Sequence, residues 1–309
     1  MKKFLYFGLL LVIMVCLFIG SAILLKSTVK LEVDQYVLFG VYLDEPILWR
    51  VIHVDESGAP LLLSDKTISL KSFDAKGDKH SDGLRIRYGS GYWPESTIRQ
   101  WLNSSEQHIS WTHNEPTKEN LCNGDNAYAD EVGFLNDKNF TASDRKAIIP
   151  VTRKLTLSEA DKEKSIGGSQ IHTYDRNIDS LHNYEKTYYQ MTTDRVFFLS
   201  IKELKDYLFD RGLEYRSIPT EKAVLQSSYV MPDERMRPYW EYWLMDPIGD
   251  YSCAPRNVLG DLDVEHSWAF MVGGVRPGLY LNHKEVKIKS GSGTIVDPYM
   301  ITGKGFFDY

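Results

Sequence analysis

The chain has 309 residues, 43% of them apolar and 13% aromatic, which is enough to fold one large domain or two small ones and excludes disorder of the whole chain. Its 36 Lys plus Arg against 42 Asp plus Glu leave a net charge of −6, without the broad basic surface that a nucleic-acid partner requires. Three cysteines with no CxxC pair exclude a disulfide-built scaffold and a thiolate zinc site.

The first feature in chain order is Phe4 to Leu25, 22 residues without a charge. As a helix this run is about 33 Å long, close to the hydrocarbon thickness of a bilayer. It is expected to be one transmembrane helix, with residues 1–30 as an N-terminal anchor and the lipid bilayer as partner. A cleaved signal peptide is the competing reading, because Gly20, Ser21 and Ala22 are small. The apolar run continues through Ile23, Leu24 and Leu25, past the length of an ordinary h-region. Lys2 and Lys3 favour an N-terminus inside the cell membrane and the rest outside, although Lys26 and Lys30 weaken the asymmetry. Either reading exports the remainder, where Cys122 and Cys253 form one disulfide or stay unpaired.

After the anchor the pattern predicts one domain over 31–285 and a C-terminal tail over 286–309. Tyr36 to Tyr42, Ile47 to Val54 and Leu61 to Ser64 read as strands of an antiparallel meander, separated by Asp44-Glu45-Pro46 and Glu56-Ser57-Gly58 turns. Ser96 caps a short helix that places Ile98, Trp101 and Leu102 on one face. Thr141 with Asp144 opens another, and Ser200 with Glu203 a third that Gly212 terminates, with Leu199 and Leu204 as a hydrophobic staple. About 154–193 the chain is polar and reads as a surface excursion. Strands return at Trp240 to Met245, Ser267 to Val272 and Gly278 to Asn282. With no βαβ rhythm, this is an α+β fold of short antiparallel strands and a few short helices.

Phe39-Gly40-Val41-Tyr42, Leu48-Trp49-Arg50-Val51, Leu61-Leu62-Leu63-Ser64, Ser96 to Asn103, Asp194 to Ser200, Tyr242-Trp243-Leu244 and Gly274 to Leu279 follow one another over roughly 36–282. In this order they resemble a bacterial family, domain of unknown function 6273, whose members recur in exported and membrane-anchored proteins. Where that family usually continues Trp-Leu with Arg-Ser-Pro, this chain has Met245-Asp246-Pro247, so a guanidinium is lost and a carboxylate gained. The Trp-Leu stretch and the late Gly-Val-Arg also resemble the end of the C-type-lectin-like fold shared with formylglycine-generating enzymes. That resemblance implies a C-type-lectin-like exported domain and says little about chemistry.

The same resemblance raises a cell-envelope oxidase using paired cysteines, but Cys122 and Cys253 have no thiol neighbour in sequence. No GxSxG elbow supports serine hydrolysis. No cofactor is predicted. Calcium is the candidate metal, at Asp261, Asp263 and Glu265, which alternate and on a strand would gather hard oxygen ligands on one face, against the plainer reading of a solvated acidic face. Trp49, Trp101 and Trp243 lie in the resemblance motifs and are assigned to the core. Trp93, Tyr88, Tyr92, Tyr239, Trp240 and Trp268 are the candidate ligand-binding rings, since flat rings beside polar groups suit a glycan, a cell-wall component or a protein ligand. The expectation is a non-catalytic, membrane-anchored extracytoplasmic recognition module, with an envelope enzyme and a ligand-free assembly component as alternatives.

Overall fold

The computed structural model describes residues 30–173, 176–179, 181–227, 238–261 and 263–305. The expected anchor, Phe4 to Leu25, lies outside the described residues. Among the described residues no helix is long and apolar enough to cross a membrane.

The predicted meander forms as β1 (Tyr36–Tyr42), β2 (Glu45–Val54) and β3 (Pro60–Ser64), all paired antiparallel, and β4 (Ser69–Ser72) follows. Two short helices come next, α1 (Gly83–Tyr88) and α2 (Thr97–Asn103). Ser96 caps α2 by accepting from Arg99 N–H, and Ile98, Trp101 and Leu102 face inward as their spacing predicts. Thr141 and Asp144 make a full capping box at α3 (Ala142–Ala147), which leads through β5 (Ile148–Ile149) into β6 (Val151–Thr156).

The stretch read as a surface excursion contributes to strands at both ends. Its far end, β7 (Tyr189–Asp194), pairs with β6 from Val151↔Asp194 to Thr156↔Tyr189 as a separate two-stranded ribbon. Polar side chains on both strands hid this pairing. The strand after it is only β8 (Val196–Phe197), because Ser200 already caps α4 (Ile201–Tyr207) through its box with Glu203. Gly212 takes the expected left-handed conformation at φ 63°.

Beyond α5 (Glu221–Gln226) come β9 (Tyr242–Pro247), β10 (Pro255–Val258), β11 (Val264–His266), β12 (Val272–Val275) and β13 (Gly278–Leu281). Ser267 to Met271, expected as strand, is instead a turn between β11 and β12. Its backbone is held outside either ladder by Phe270 N–H donating to Tyr88 O and Ala269 N–H donating to Cys253 O.

The C-terminal tail joins the large sheet. It supplies β14 (Val286–Ser290) and β15 (Tyr299–Gly303), and β15 lies parallel to β1 with Val37 opposite Tyr299. Asp144 secures it by accepting from Gly303 N–H at 2.7 Å and Thr302 Oγ1 at 3.1 Å.

Among the described residues the strands form three sheets: β14-β15-β1-β2-β3-β13-β5, with β8 also on β13; β11-β10-β9-β12-β4; and the β6-β7 ribbon. Most pairs are antiparallel, so the class is α+β. One apolar core runs through the large sheets and the short helices, with Trp49, Trp93, Trp101 and Trp243 wholly buried.

A bulge between Leu38 and Val41 interrupts the β1–β2 ladder where Gly40 has φ 70°, and a Cβ there would collide with the Phe140 ring. Gly40→Ala is expected to destabilise the domain by about 2–3 kcal/mol, combining left-handed backbone strain with displacement of a core ring. Urea unfolding measures this, and a loss under about 0.5 kcal/mol would show that the bulge relaxes freely.

Candidate functional site

The resemblance motifs resolve into framework. The indole N–H of Trp49 donates to Phe39 O at 2.7 Å, that of Trp101 to Val132 O at 3.0 Å, and that of Trp243 to Lys71 O at 2.9 Å. Each ring thereby ties two segments together inside the core while its own polar atom is satisfied. Arg276 is buried and donates to Ser64 O, Tyr215 O and the Tyr242 hydroxyl, so its guanidinium is engaged within the framework. Asp246, at the turn where the chain departs from the family pattern, is fully buried. It accepts from Thr156 Oγ1 at 2.7 Å and from Ile201 N–H, at the first turn of α4, at 2.7 Å.

The six candidate rings separate into three places. Trp93 is a core side chain, a correction to its expected place at a binding surface. Pro94 in the turn that follows sets Trp93 inward, where its indole N–H donates to Asp194 at 3.0 Å and its ring packs on Phe73 and Phe198. Tyr92 beside it is 6% exposed; its hydroxyl accepts from Gln190 Nε2, and the Lys164 ammonium lies 3.8 Å from its ring centre. Tyr239 is covered by the Arg216 guanidinium at 4.0 Å, and Trp240 pairs through its backbone with Ser217.

Tyr88 and Trp268 are the two that the fold brings together. Tyr88 ends α1, and Gly89 at φ 76° turns the chain where a Cβ would strike Asp74 O. Trp268 sits in the turn between β11 and β12, which the Phe270 N–H to Tyr88 O bond draws against α1. The two rings stack at 4.9 Å between centres and 20° between planes. Tyr251, 42% exposed, meets Trp268 edge-on at 5.7 Å. His266 lies 6.4 Å from both Tyr251 and Trp268, and Phe270 lies 5.7 Å from Tyr88. Burial pushes the His266 imidazole down, which favours the neutral ring.

Behind this face, Asn257 Nδ2 donates to both Glu241 Oε2 and Ser267 Oγ at 2.9 Å. Burial pushes the Glu241 carboxyl up to about 7. The result is a partly exposed aromatic platform with the His266 ring at its edge and a hydrogen-bonded network behind it. Tyr251 and Phe270 were not legible as members, since neither belongs to a periodic pattern and contact is made only when two loops converge.

The acidic run is occupied differently from the calcium expectation. Arg176 places its guanidinium 3.2 Å from Asp263 and 2.6 Å from Glu265, where a cation would otherwise sit, and an Asp261 oxygen accepts from Asp263 N–H. Among the described residues no group of three or more His, Cys, Asp or Glu is placed to hold a metal ion. Cys122 and Cys253 are both free thiols. Cys253 is wholly buried, and burial pushes its thiol up to about 11, opposite to what a reactive thiolate needs.

These features define an α+β domain in which the shared motifs build the frame and an aromatic face lies mainly outside them. The chain belongs to the family described as Domain of unknown function (DUF6273), whose pattern matches residues 57–283. No curated protein and no solved structure is detectably similar to it.

Proposed function

We propose that this chain is a non-catalytic, membrane-anchored recognition module of a bacterial surface, carried outside the cell membrane on a C-type-lectin-like α+β domain. The aromatic face of Tyr88, Tyr251, His266 and Trp268 is its ligand-binding surface. The observation that carries the reading is the exposure of the Tyr88–Trp268 stack with Tyr251 at its edge, in a protein that buries Trp49, Trp93, Trp101 and Trp243 completely. Flat rings left at a surface gain by covering the apolar face of a sugar or peptide, while the polar edge orients it. The uncharged run from Phe4 to Leu25 supports the anchor.

Glycan arrays and cell-wall fragments presented to the purified full chain test this reading. Trp268→Ala and Tyr251→Ala are each expected to weaken binding about tenfold or more while leaving the unfolding midpoint near that of the parent, because Tyr251 lies at the surface and Trp268 in a half-buried turn. Binding that survives both substitutions unchanged would remove the face from the account.

A further inference from the structure

We propose a second ligand site, independent of the aromatic face, that takes an anionic group in the cleft between α2 and the start of β8. The two longest resemblance motifs meet there. The face of α2 opposite its buried Ile98, Trp101 and Leu102 presents Arg99, Gln100 and Asn103 to a cavity of about 480 Å³, whose other wall includes Thr193, Asp194 and Arg195.

Two guanidiniums face this cavity against one carboxylate, and that carboxylate is already engaged. Asp194 is 3% exposed; one oxygen accepts from Arg99 Nε at 2.5 Å, and the other from Trp93 Nε1 at 3.0 Å and Thr192 Oγ1 at 3.1 Å. Asn103 is spent on the frame, its Oδ1 accepting from the backbone N–H groups of Arg195 and Val196 and its Nδ2 donating to Val196 O.

Arg195 differs from these. Its Nη1 donates to Ile148 O at 2.6 Å and Arg145 O at 3.2 Å, which fixes the guanidinium without neutralising it. Among the described residues no carboxylate lies within ion-pair distance of Arg195, and its Nε and Nη2 donate to no protein atom. A planar cation held in place by main-chain carbonyls, with unused N–H groups at a cleft, is pre-organised for a carboxylate or a phosphate ester. Arg195 is exposed at the cleft, and its two bonds to carbonyls already restrict the side chain before any ligand arrives. Gln100 and Thr112, which hydrogen-bond each other at the rim, add polar groups for the rest of the ligand.

The test titrates the purified full chain with inorganic phosphate and, separately, with succinate at constant ionic strength, following the Arg195 Nε–H resonance and the heat of binding. Saturable binding of either anion is expected, about tenfold weaker in Arg195→Gln and partly retained in Arg195→Lys. Thr112→Trp, a rim substitution that leaves Arg195 untouched, is expected to block it as well. Preference for phosphate assigns a phosphate-ester ligand and preference for succinate a carboxylate ligand. Trp268→Ala is expected to leave anion binding unchanged, which separates this site from the aromatic face. The proposal is overturned if neither anion moves the Arg195 signal at millimolar concentration, or if binding persists undiminished in folded Arg195→Gln and Thr112→Trp proteins.

Discussion

Asp246→Ala is expected to destabilise the domain by about 3–5 kcal/mol, a large share of the stability of an ordinary domain. The carboxylate is wholly buried and joins three elements: β9 carries it, Thr156 of β6 donates to one oxygen, and Ile201 N–H of α4 donates to the other. Truncation leaves a buried hydroxyl and a helix-terminal N–H without acceptors, and opens a cavity as well. Burial raises the Asp246 pKa, so the donors and the charge of Arg256 only partly offset the cost of holding an anion there. Asp246→Asn keeps one carbonyl acceptor but sets an amide N–H against a donor, and an intermediate loss is expected. Urea unfolding of both variants measures this, and an Asp246→Ala loss below about 1 kcal/mol would show that the carboxylate does not hold the ribbon and α4 together.

The stability of the fold is expected to decline as pH falls from about 6.5 towards 3, with His172 contributing up to about 5 kcal/mol of that decline. His172 is 3% exposed, and its Nδ1 must accept, because the group 3.1 Å away is the Arg256 guanidinium, which only donates. The ring proton therefore sits on Nε2, which has no partner among the described residues. Burial, then Arg256, then Lys154 oppose a positive charge here and lower the pKa to about 3. The sign follows from proton counting. Below 6.5 the unfolded chain takes up a proton that the folded chain refuses, so the contribution is complete above 6.5 and is lost on acidification through the window down to 3. His172→Gln keeps an acceptor for Arg256 and removes the titration. Its stability relative to the parent is expected to improve by about 1.4 kcal/mol per pH unit below 6.5. Parallel stability curves for the two proteins at pH 7.5, 6, 5 and 4 would contradict this assignment.

The contrast between Asp246 and Trp268 marks how far the sequence reaches. Capping boxes at Thr141 and Ser200, the cap at Ser96 and the first three strands were legible because each is decided by neighbours within a few residues. The β6–β7 ribbon and the joining of β15 to β1 were not: the polar sequences of β6 and β7 acquire strand character only by pairing, and β15 meets β1 across a separation that no local pattern reports. The departure at Met245-Asp246 was visible as a change of residues, but its meaning required Thr156 and Ile201 beside it. Rings suited to recognition could be proposed by type. Exposure then separated them: Trp93 went to the core because Asp194 gives its indole a buried partner, while Trp268 stayed outside on Tyr88. Alternating acids suggested a cation, and a guanidinium brought from Arg176 supplies that charge instead.

The indole N–H resonances of the full chain, recorded while soluble cell-wall glycan fragments are added, test the central claim most directly. The account predicts that the Trp268 signal shifts in a saturable way while those of Trp49, Trp93, Trp101 and Trp243 stay still. A Trp268 signal that does not move with fragments bound, or movement confined to the buried indoles, would contradict it.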